Sequence, residues 1–565
     1  MENLSAWIVI RRLRIPFLII ILTFSISILG MMLIPGMDDH GNVYHLNFFD
    51  AFYFVSYMAS TIGFGESPYA FTYPQKLWVS FSIYLTVIGW FYGIGTIVAL
   101  IQDEMLHKEI AKSRFYNAVR EMEEPFILIF GYNNVTKALI RKLNLIQTRM
   151  VVIDKDQHAI DALNLEHYHP AIPAISGDVL DPKTLEMAGI RYRECQAAVI
   201  LFENDKKNTK LAMMCRHLNK KMKLIVRSST MQNSEFLYNI GVEHIENPFN
   251  VISSRLYLAL TAPHLWVLEM WVHGHLLKIK KREILPKGRY VIYGYGRMGK
   301  ALEKGLGKAG VAYTFIDARL PGSRNGELGE LVGEDEIEAK LLEADIATAS
   351  VIIAGTRDDI VNLAVIALAK KHNPDIYTIS RENELADLQV FKAARIDRNY
   401  ILEEIIINKT YNYLARPLAN IFIKHLNTKT EEWGEALVRR IVEKMGENPS
   451  LTEMEISPHQ AFAVCNELEK GTKITLEMLK RRREDYTRQN DLLFLMIVRE
   501  GESILLPPDD FEIAPGDEML VVCNQESETD LAYILNNYYE LYYVMTGREK
   551  ITGILKYFVR QNATS

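Results

Sequence analysis

Cysteine is scarce in this chain: four residues in 565, at Cys195, Cys215, Cys465 and Cys523, with no pairwise metal spacing. That excludes a thiolate zinc framework. All four follow the apolar segments described below, in what should be reducing cytosol, so no disulfides are expected. A basic surplus is missing too. The net charge is −6, which argues against nucleic acid as a partner. There is no nucleophile elbow, no zinc-type ligand cluster and no substrate domain beside a nucleotide fold, so the chain is not expected to be an enzyme.

Charge is absent in a more informative way from two long runs. Residues 15–37 carry none, a length sufficient for a spanning helix. Arg11, Arg12 and Arg14 precede this run and place the N-terminus in the cytoplasm. The run is too long for the apolar region of a signal peptide, and no small-residue cleavage site follows. Residues 77–102 form the second run, entered near the aromatic residues Phe71, Tyr73 and Trp78 and left at Asp103 and Glu104. Between them, residues 48–60 are mostly aromatic and too short to span. A re-entrant helix fits, since irregular backbone at membrane depth must be buried in protein or line a cavity. Its C-terminal end would offer a negative dipole to a cation. Gly89, Gly93 and Gly95 interrupt the second run, as gate hinges or as close-packing positions.

The re-entrant segment leads into Ser60-Thr61-Ile62-Gly63-Phe64-Gly65-Glu66. A Thr followed by alternating glycines suits a backbone whose successive carbonyls point one way, because glycine accepts positive φ. Such a column can replace the water shell of a dehydrated cation. The blander alternative is a Gly-rich turn.

The remainder alternates strands and helices, which predicts doubly wound parallel sheets. Residues 101–124 are charged and helix-prone, a connector. Strands are expected at 126–130, 150–154, 197–201 and 224–226. The pattern then repeats: residues 290–294 match the strand ending at Gly131, and 315–317 match 152–154, both offset by 163 residues. Residues 350–353 match 198–201 at a different offset. Amphipathic helical stretches follow Asn247-Pro248 to about residue 285, and again over 400–444. A different module starts near residue 451, with strands expected at 453–464, 491–499 and 518–523. Short helices are expected over 531–565.

In the second copy, Gly294-Tyr295-Gly296-Arg297-Met298-Gly299 follows a strand and opens a helix, with Asp317 eighteen residues after its last Gly. That is the context a dinucleotide fingerprint requires. Gly294 allows the tight turn, Gly296 admits a pyrophosphate and Gly299 lets the helix pack on the sheet, while the helix N-terminus favours the anion. Asp317 would hold ribose hydroxyls and repel a 2′-phosphate, favouring NAD or ADP/ATP over NADP. Arg297 and Arg319 are candidate phosphate contacts. In the first copy, Asn133 and Thr136 replace the second and third glycines of Gly131-Tyr132-Asn133-Asn134-Val135-Thr136. A dinucleotide is not expected there, although Asp154 could serve a smaller ligand. Asp358-Asp359 and Glu334-Asp335-Glu336 are candidate divalent-cation ligands, with solvated loop charge the blander reading.

Residues Thr61 to Gly65 resemble the potassium channel signature, with Glu66 in place of the usual acid after it. With two apolar spans before two Rossmann-like halves, nearly the whole chain resembles prokaryotic potassium channels with tandem RCK domains, built of TrkA-N and TrkA-C modules. Residues 247–255 look like the segment leading into that family's crossover helix, and 504–522 like its TrkA-C lobe. The resemblance implies a membrane pore domain with two spanning helices and a re-entrant pore helix, followed by α/β Rossmann-like RCK domains in tandem. It implies potassium ions on the backbone carbonyls of Thr61, Ile62, Gly63 and Phe64. It also implies a homotetramer in the cell membrane, with eight RCK domains in a cytosolic ring and both termini cytoplasmic. Family members respond to calcium, NAD or adenine nucleotides. The family's best-known calcium site uses a Glu-rich strand end where this chain has Val226-Arg227-Ser228 and Ile379-Ser380-Arg381, so that calcium geometry is not expected. The expected segments are an N-tail over 1–14, a pore domain over 15–104, a connector over 105–124 and a first RCK domain over 125–287. A second Rossmann-like lobe over 288–448, a TrkA-C-like lobe over 449–530 and a tail over 531–565 complete the chain. The alternative is a regulatory subunit of a potassium transport system, which would share the TrkA modules but needs membrane segments supplied elsewhere.

Overall fold

A computed structural model describes residues 2–276, 278–279, 285–317, 334–383 and 388–549. The chain divides into two compact units. The first holds the apolar segments. A long helix, Glu2–Leu33, is followed by the short helix Phe48–Ala59 and a second long helix, Tyr73–Ile101. Leu13–Leu33 and Tyr73–Ile101 are long and apolar enough to cross a membrane. Pro74 sits in the first turn of the second helix, where its missing N–H costs nothing, and Gln75 accepts from Thr72 N at 3.0 Å. The two long helices pack closely. A Cβ at Gly89 would lie 2.9 Å from Thr23 Oγ1, and one at Gly93 would lie 2.5 Å from Ile20 Cδ1. These two glycines are therefore close-packing positions. A Cβ at Gly95 meets nothing within 4 Å, so packing within the chain does not require glycine there.

The second long helix ends at Ile101, and a separate helix, Glu104–Arg120, begins at once. Asp103 caps it, accepting from Met105 N at 2.8 Å and Leu106 N at 3.2 Å. The connector expected from the charge pattern is thus an independent, capped helix.

The second unit holds two parallel sheets and one antiparallel sheet. In the first lobe, strands Arg149–Asp154, Phe126–Phe130, Cys195–Ile200, Lys223–Arg227 and His244–Glu246 lie side by side in that order, all parallel. In the second lobe the order is Tyr313–Ile316, Tyr290–Tyr293, Val351–Ala354, Tyr377–Glu382 and Arg398–Ile401, again all parallel. The duplication is visible in the register. Phe130 pairs with Ile153 and Ile200, and Tyr293 pairs with Ile316 and Ala354. Ala354 therefore stands where Ile200 does, two residues along from the sequence match. An even slip preserves the buried face, which is why the apolar pattern alone did not fix it.

Helices Pro248–Thr261 and Pro263–Val272 follow the first lobe, and Leu402–Ala415, Pro417–Leu426 and Glu431–Met445 follow the second. The last module pairs Ser450–Glu455, Glu518–Cys523, Leu492–Arg499 and Glu502–Leu505 as an antiparallel sheet. The strand expected over 453–464 ends at Glu455, and a helix occupies Phe462–Glu469. Ser457-Pro458 interrupts the run, and Gln460 N and Ala461 N donate back to Ser457 O. The tail forms helices Gln525–Asn536 and Tyr538–Thr546; residues 550–565 lie outside the described residues. All four cysteines are free and buried.

The lobes meet through a buried histidine, His273, and a half-buried one, His275. Asn412 Nδ2 donates to His273 Nδ1 at 3.0 Å, and Asn408 Nδ2 to His275 Nδ1 at 3.2 Å. A nitrogen that accepts carries no proton. Burial pushes His273 well below the usual range, and burial aided by the Arg255 charge pushes His275 down to about 3. Each binds fewer protons folded than unfolded. The stability they contribute is complete above the unfolded value near 6.5 and is lost as pH falls below it. Acidification from pH 6.5 to 5.5 should cost about 1 kcal/mol per histidine. The melting temperature of the purified chain should fall over that interval, and fall less in His275→Gln. A flat melting temperature contradicts the expectation.

Candidate functional site

The re-entrant helix Phe48–Ala59 is fixed at its start by Asn47, which accepts from Asp50 N at 2.9 Å. At its end the chain doubles back. Thr61 N donates to Met58 O at 3.1 Å, Ile62 N to Tyr57 O at 2.9 Å and Gly63 N to Tyr57 O at 3.4 Å. In a planar trans peptide the carbonyl points opposite to the N–H of the next residue. The carbonyls of Ser60, Thr61 and Ile62 are thereby aimed away from the helix. Positive φ recurs at Thr61 (63°), Gly63 (68°) and Gly65 (102°). Gly65 O instead accepts from Tyr57 OH at 2.6 Å, which anchors the far end of the loop to the helix. Glu66 is structural here: it accepts from Phe71 N at 2.7 Å and pairs with Lys76 Nζ at 3.4 Å. Ile62 and Phe64 leave 60% and 71% of their surface exposed, large apolar side chains with no cover inside one chain.

The second lobe carries the fingerprint. Gly294, at φ 104°, turns the chain out of the strand, and its N donates to Ile316 O at 2.8 Å. Gly299 faces Gly294 O so closely that a Cβ would lie 2.3 Å from it. Asp317 Oδ2 accepts from Tyr295 N at 2.5 Å, so the acid also holds the turn. The helix Arg297–Ala309 begins at Gly296, which offers no capping side chain. Its first N–H groups are left to an incoming anion. Met298 is fully buried in the core, Tyr295 OH donates to Glu303 at 2.6 Å, and the Arg297 guanidinium stands 5.1 Å from the Phe249 ring. Of the residues the sequence singled out, Gly294, Gly296, Gly299 and Asp317 lie together at the turn between strand and helix, with Met298 buried beneath it. Arg319 lies outside the described residues.

The first lobe shows what the replaced glycines do. Asn133 Oδ1 accepts from Thr136 N at 3.0 Å, and Thr136 Oγ1 donates to Gly131 O at 2.7 Å. Side chains there occupy the helix N-terminus that the second lobe leaves open. Asp154 again accepts from the turn, from Tyr132 N at 2.6 Å.

The acidic candidates are engaged by the fold. Asp358 caps a helix by accepting from Ile360 N at 2.9 Å and Val361 N at 3.1 Å. Both Asp359 oxygens lie 3.0 Å from Asn383 N. The side chains of Glu334 and Asp335 lie outside the described residues. Among the described residues no group of three or more His, Cys, Asp or Glu is placed to hold a metal. Sequence reasoning does not reveal that the guanidinium groups of Arg297 and Arg381 both approach the Phe249 ring, at 5.1 and 5.9 Å. The strand ends carrying Arg227 and Arg381 enter the sequence argument only where the family's calcium site has glutamates.

A TrkA-N domain model matches residues 127–248 and again 290–401. A 241-residue stretch is 26% identical to an uncharacterized protein of Methanothermus fervidus and covers 42% of this chain and 37% of that one. The chain thus spans little more than a third of that relative's length. A 242-residue stretch is 22% identical to Potassium channel protein 1 of Methanocaldococcus jannaschii, covering 42% of this chain and 68% of that one. Among solved structures, the GsuK channel bound to NAD aligns with a TM-score of 0.47 at 16% identity, over 94% of this chain and 99% of that chain.

Proposed function

We infer that this chain, related to RCK-containing potassium channels and carrying the TrkA-N domain twice, is one subunit of a potassium-selective channel gated by a cytosolic nucleotide. The observation that carries the reading is the loop Thr61–Gly65. The N–H groups of Thr61, Ile62 and Gly63 are tied to a short helix between two spanning-length helices, which turns the carbonyls of Ser60, Thr61 and Ile62 away from that helix. One chain supplies one wall. A filter needs several walls around an axis, and four copies match the way such loops enclose a dehydrated cation. The exposed Ile62 and Phe64 fit that assembly, because neighbouring copies would cover them. The lobes would then form a ring of eight nucleotide-type folds in the cytosol. Purified protein in liposomes should pass potassium in preference to sodium, with flux that changes on adding NAD, ADP or ATP. Liposomes with no potassium flux under any nucleotide, or with calcium, would overturn the reading.

The regulatory ligand is assigned to the second lobe, as NAD or an adenine nucleotide. Asp317→Asn keeps an acceptor for Tyr295 N but removes the charge that would meet the ribose. A charge-assisted hydrogen bond contributes about 1.5–3 kcal/mol, so NAD affinity should fall roughly 10- to 150-fold. Calorimetry on the full chain is the measurement. Unchanged affinity in Asp317→Asn, or NADP held as tightly as NAD by the wild type, counts against the assignment. Asp154→Asn in the first lobe should leave NAD affinity unaltered, since Asn133 and Thr136 already occupy that helix end.

A further inference from the structure

Four histidines of the first lobe and its following helices face the helices that follow the second lobe, and they have two kinds of partner. His244 and His264 meet carboxylates: His244 Nε2 lies 2.6 Å from Glu246 Oε1, and His264 Nδ1 lies 2.6 Å from Glu431 Oε1. A carboxylate accepts from a charged imidazole as readily as from a neutral one, so a proton costs neither contact. His273 and His275 meet amides instead. Both amides come from the helix Leu402–Ala415, four residues apart at Asn408 and Asn412 and so on one face.

Each amide is held in one orientation. Lys142 Nζ donates to Asn408 Oδ1 at 2.5 Å, and an ammonium can only donate. The NH2 of Asn408 is therefore the group turned to His275 Nδ1, at 3.2 Å. Asn412 Nδ2 lies 3.0 Å from His273 Nδ1 and 3.3 Å from His273 O. A carbonyl can only accept, so here too the NH2 faces the ring. In both pairs Nδ1 must accept, which a protonated imidazole cannot do. Turning Asn408 over would set its NH2 against the Lys142 ammonium. Turning Asn412 over would set Oδ1 against His273 O. The other edge offers no relief, since His275 Nε2 is buried with no hydrogen-bond partner.

The surrounding charge opposes a proton as well. Arg255, 2% exposed on the helix Pro248–Thr261, bears on both rings. Lys142 from the helix Asn134–Leu145 bears on His275, and Lys409, His275 and His244 bear on His273. The carboxylates on these elements are engaged. Glu269 pairs with Arg255 at 3.4 Å, Glu243 with Arg216 at 2.7 Å, and Glu246 with His244, with Lys409 at 4.0 Å. Glu404 and Arg416 act on Lys142 with opposite signs. A cavity of about 470 Å³, lined in part by His273, Lys409 and Tyr413, opens beside the joint.

We propose that His273 and His275, with Asn412 and Asn408, form a proton-released latch between the two lobes, docked while both rings are neutral and released when they take up protons. Undocked, each ring meets water and titrates near the ordinary histidine value of about 6.5. Acidification from pH 7.5 to 5.5 then favours the undocked state about tenfold per histidine, and about a hundredfold for both. The release is local, because the His264–Glu431 contact keeps the helices Pro263–Val272 and Glu431–Met445 tied while Leu402–Ala415 lifts. Acid thus becomes an input to the lobes separate from the turn at Gly294–Gly299.

The test is hydrogen–deuterium exchange on the full-length protein at pH 7.5 and 5.5, corrected for the intrinsic pH dependence of exchange. In the wild type the helix Leu402–Ala415 should lose about a hundredfold in protection, and at pH 5.5 it should exchange ahead of the strand Phe126–Phe130. His273→Gln and His275→Gln should each lose about tenfold. Asn408→Asp is isosteric and can accept from both Lys142 and a protonated His275, so it should lose tenfold or less. That variant and His275→Gln decide the matter where the buried His273→Gln does not fold. Wild-type protection of the helix that is equal at the two pH values overturns the proposal. So does a helix that exchanges only together with the strand, which is unfolding of the whole lobe. A loss in Asn408→Asp and His275→Gln as large as in the wild type overturns it as well.

Discussion

Gly63→Ala is expected to abolish the proposed potassium-over-sodium discrimination while leaving the two Rossmann-like lobes folded. Gly63 sits at φ 68°, and a Cβ placed on it meets nothing within 4 Å of its own chain. The penalty is therefore conformational and not a collision. An L side chain in the left-handed region costs about 1–2 kcal/mol. In the four-copy filter proposed above the same strain is imposed four times around one axis, about 4–8 kcal/mol in total. Two relaxations are open. Residue 63 can return to negative φ, which rotates the peptide planes on either side and turns the Ile62 or Gly63 carbonyl out of the column. Alternatively, the N–H bonds of Ile62 and Gly63 to Tyr57 O break, which releases the loop from its helix. Either disturbs the ion's substitute for water, and a loss of about 1.4 kcal/mol in relative binding is a tenfold loss of discrimination. Bilayer recordings under bi-ionic conditions read this as a reversal potential moving toward zero. Tyr57→Phe, which removes only the 2.6 Å bond to Gly65 O, should shift it in the same direction and less. Wild-type selectivity in Gly63→Ala would sink the filter assignment.

These expectations differ in how far the sequence carried them. The backbone of the loop at Thr61–Gly65 and of the turn at Gly294–Gly299 was legible because its signals are local. Alternating glycines, a strand before them and a helix after them are all within a few residues of one another. The fold class was legible for a related reason: buried parallel strands are nearly continuous apolar runs, and the two copies repeat them. What was not legible is whatever depends on convergence. Arg297 and Arg381 are 84 positions apart, and nothing near either one in sequence marks the Phe249 ring that both approach. The equivalence of the strands Lys223–Arg227 and Tyr377–Glu382 likewise appears only in the strand order of their two sheets. The strand expected across residues 453–464 failed for a different reason. Apolar periodicity continued through Ser457-Pro458, but the backbone hydrogen bonds did not, since Pro458 has no N–H to donate and the chain turned there. The first lobe's closed helix end was half legible. Asn133 and Thr136 signalled obstruction, but the reciprocal cap they form required the geometry.

Loosening the connector should silence the channel's response to nucleotide without weakening nucleotide binding. The motivation is covalent. The helix Glu104–Arg120 is the stretch of chain between the second spanning helix and the first strand of the first lobe, Phe126–Phe130. It is a stiff rod of 17 residues, capped by Asp103 immediately after the spanning helix ends. A ligand moves a gate only by its differential affinity for the open and closed states. Taking the gate from 1:99 to 99:1 needs about 5.5 kcal/mol. Divided among four subunits, that is roughly 1.4 kcal/mol each, a tenfold preference per site. Nucleotide contacts of the kind the second lobe offers are strong enough for that, provided the linkage does not absorb the motion. A Gly-Ser segment inserted after Lys112 interrupts the rod in its middle, where each glycine costs about 1 kcal/mol of helix stability. The inserted stretch then behaves as a flexible coil whose ends wander by more than the displacement it should transmit. Calorimetry on that variant should return wild-type nucleotide affinity, because Gly294 and Asp317 lie far along the chain from the insertion. Single-channel open probability should no longer depend on nucleotide. The same nucleotide response in the loosened channel would mean that the rod is not the route, and direct contact between ring and membrane domain would have to replace it.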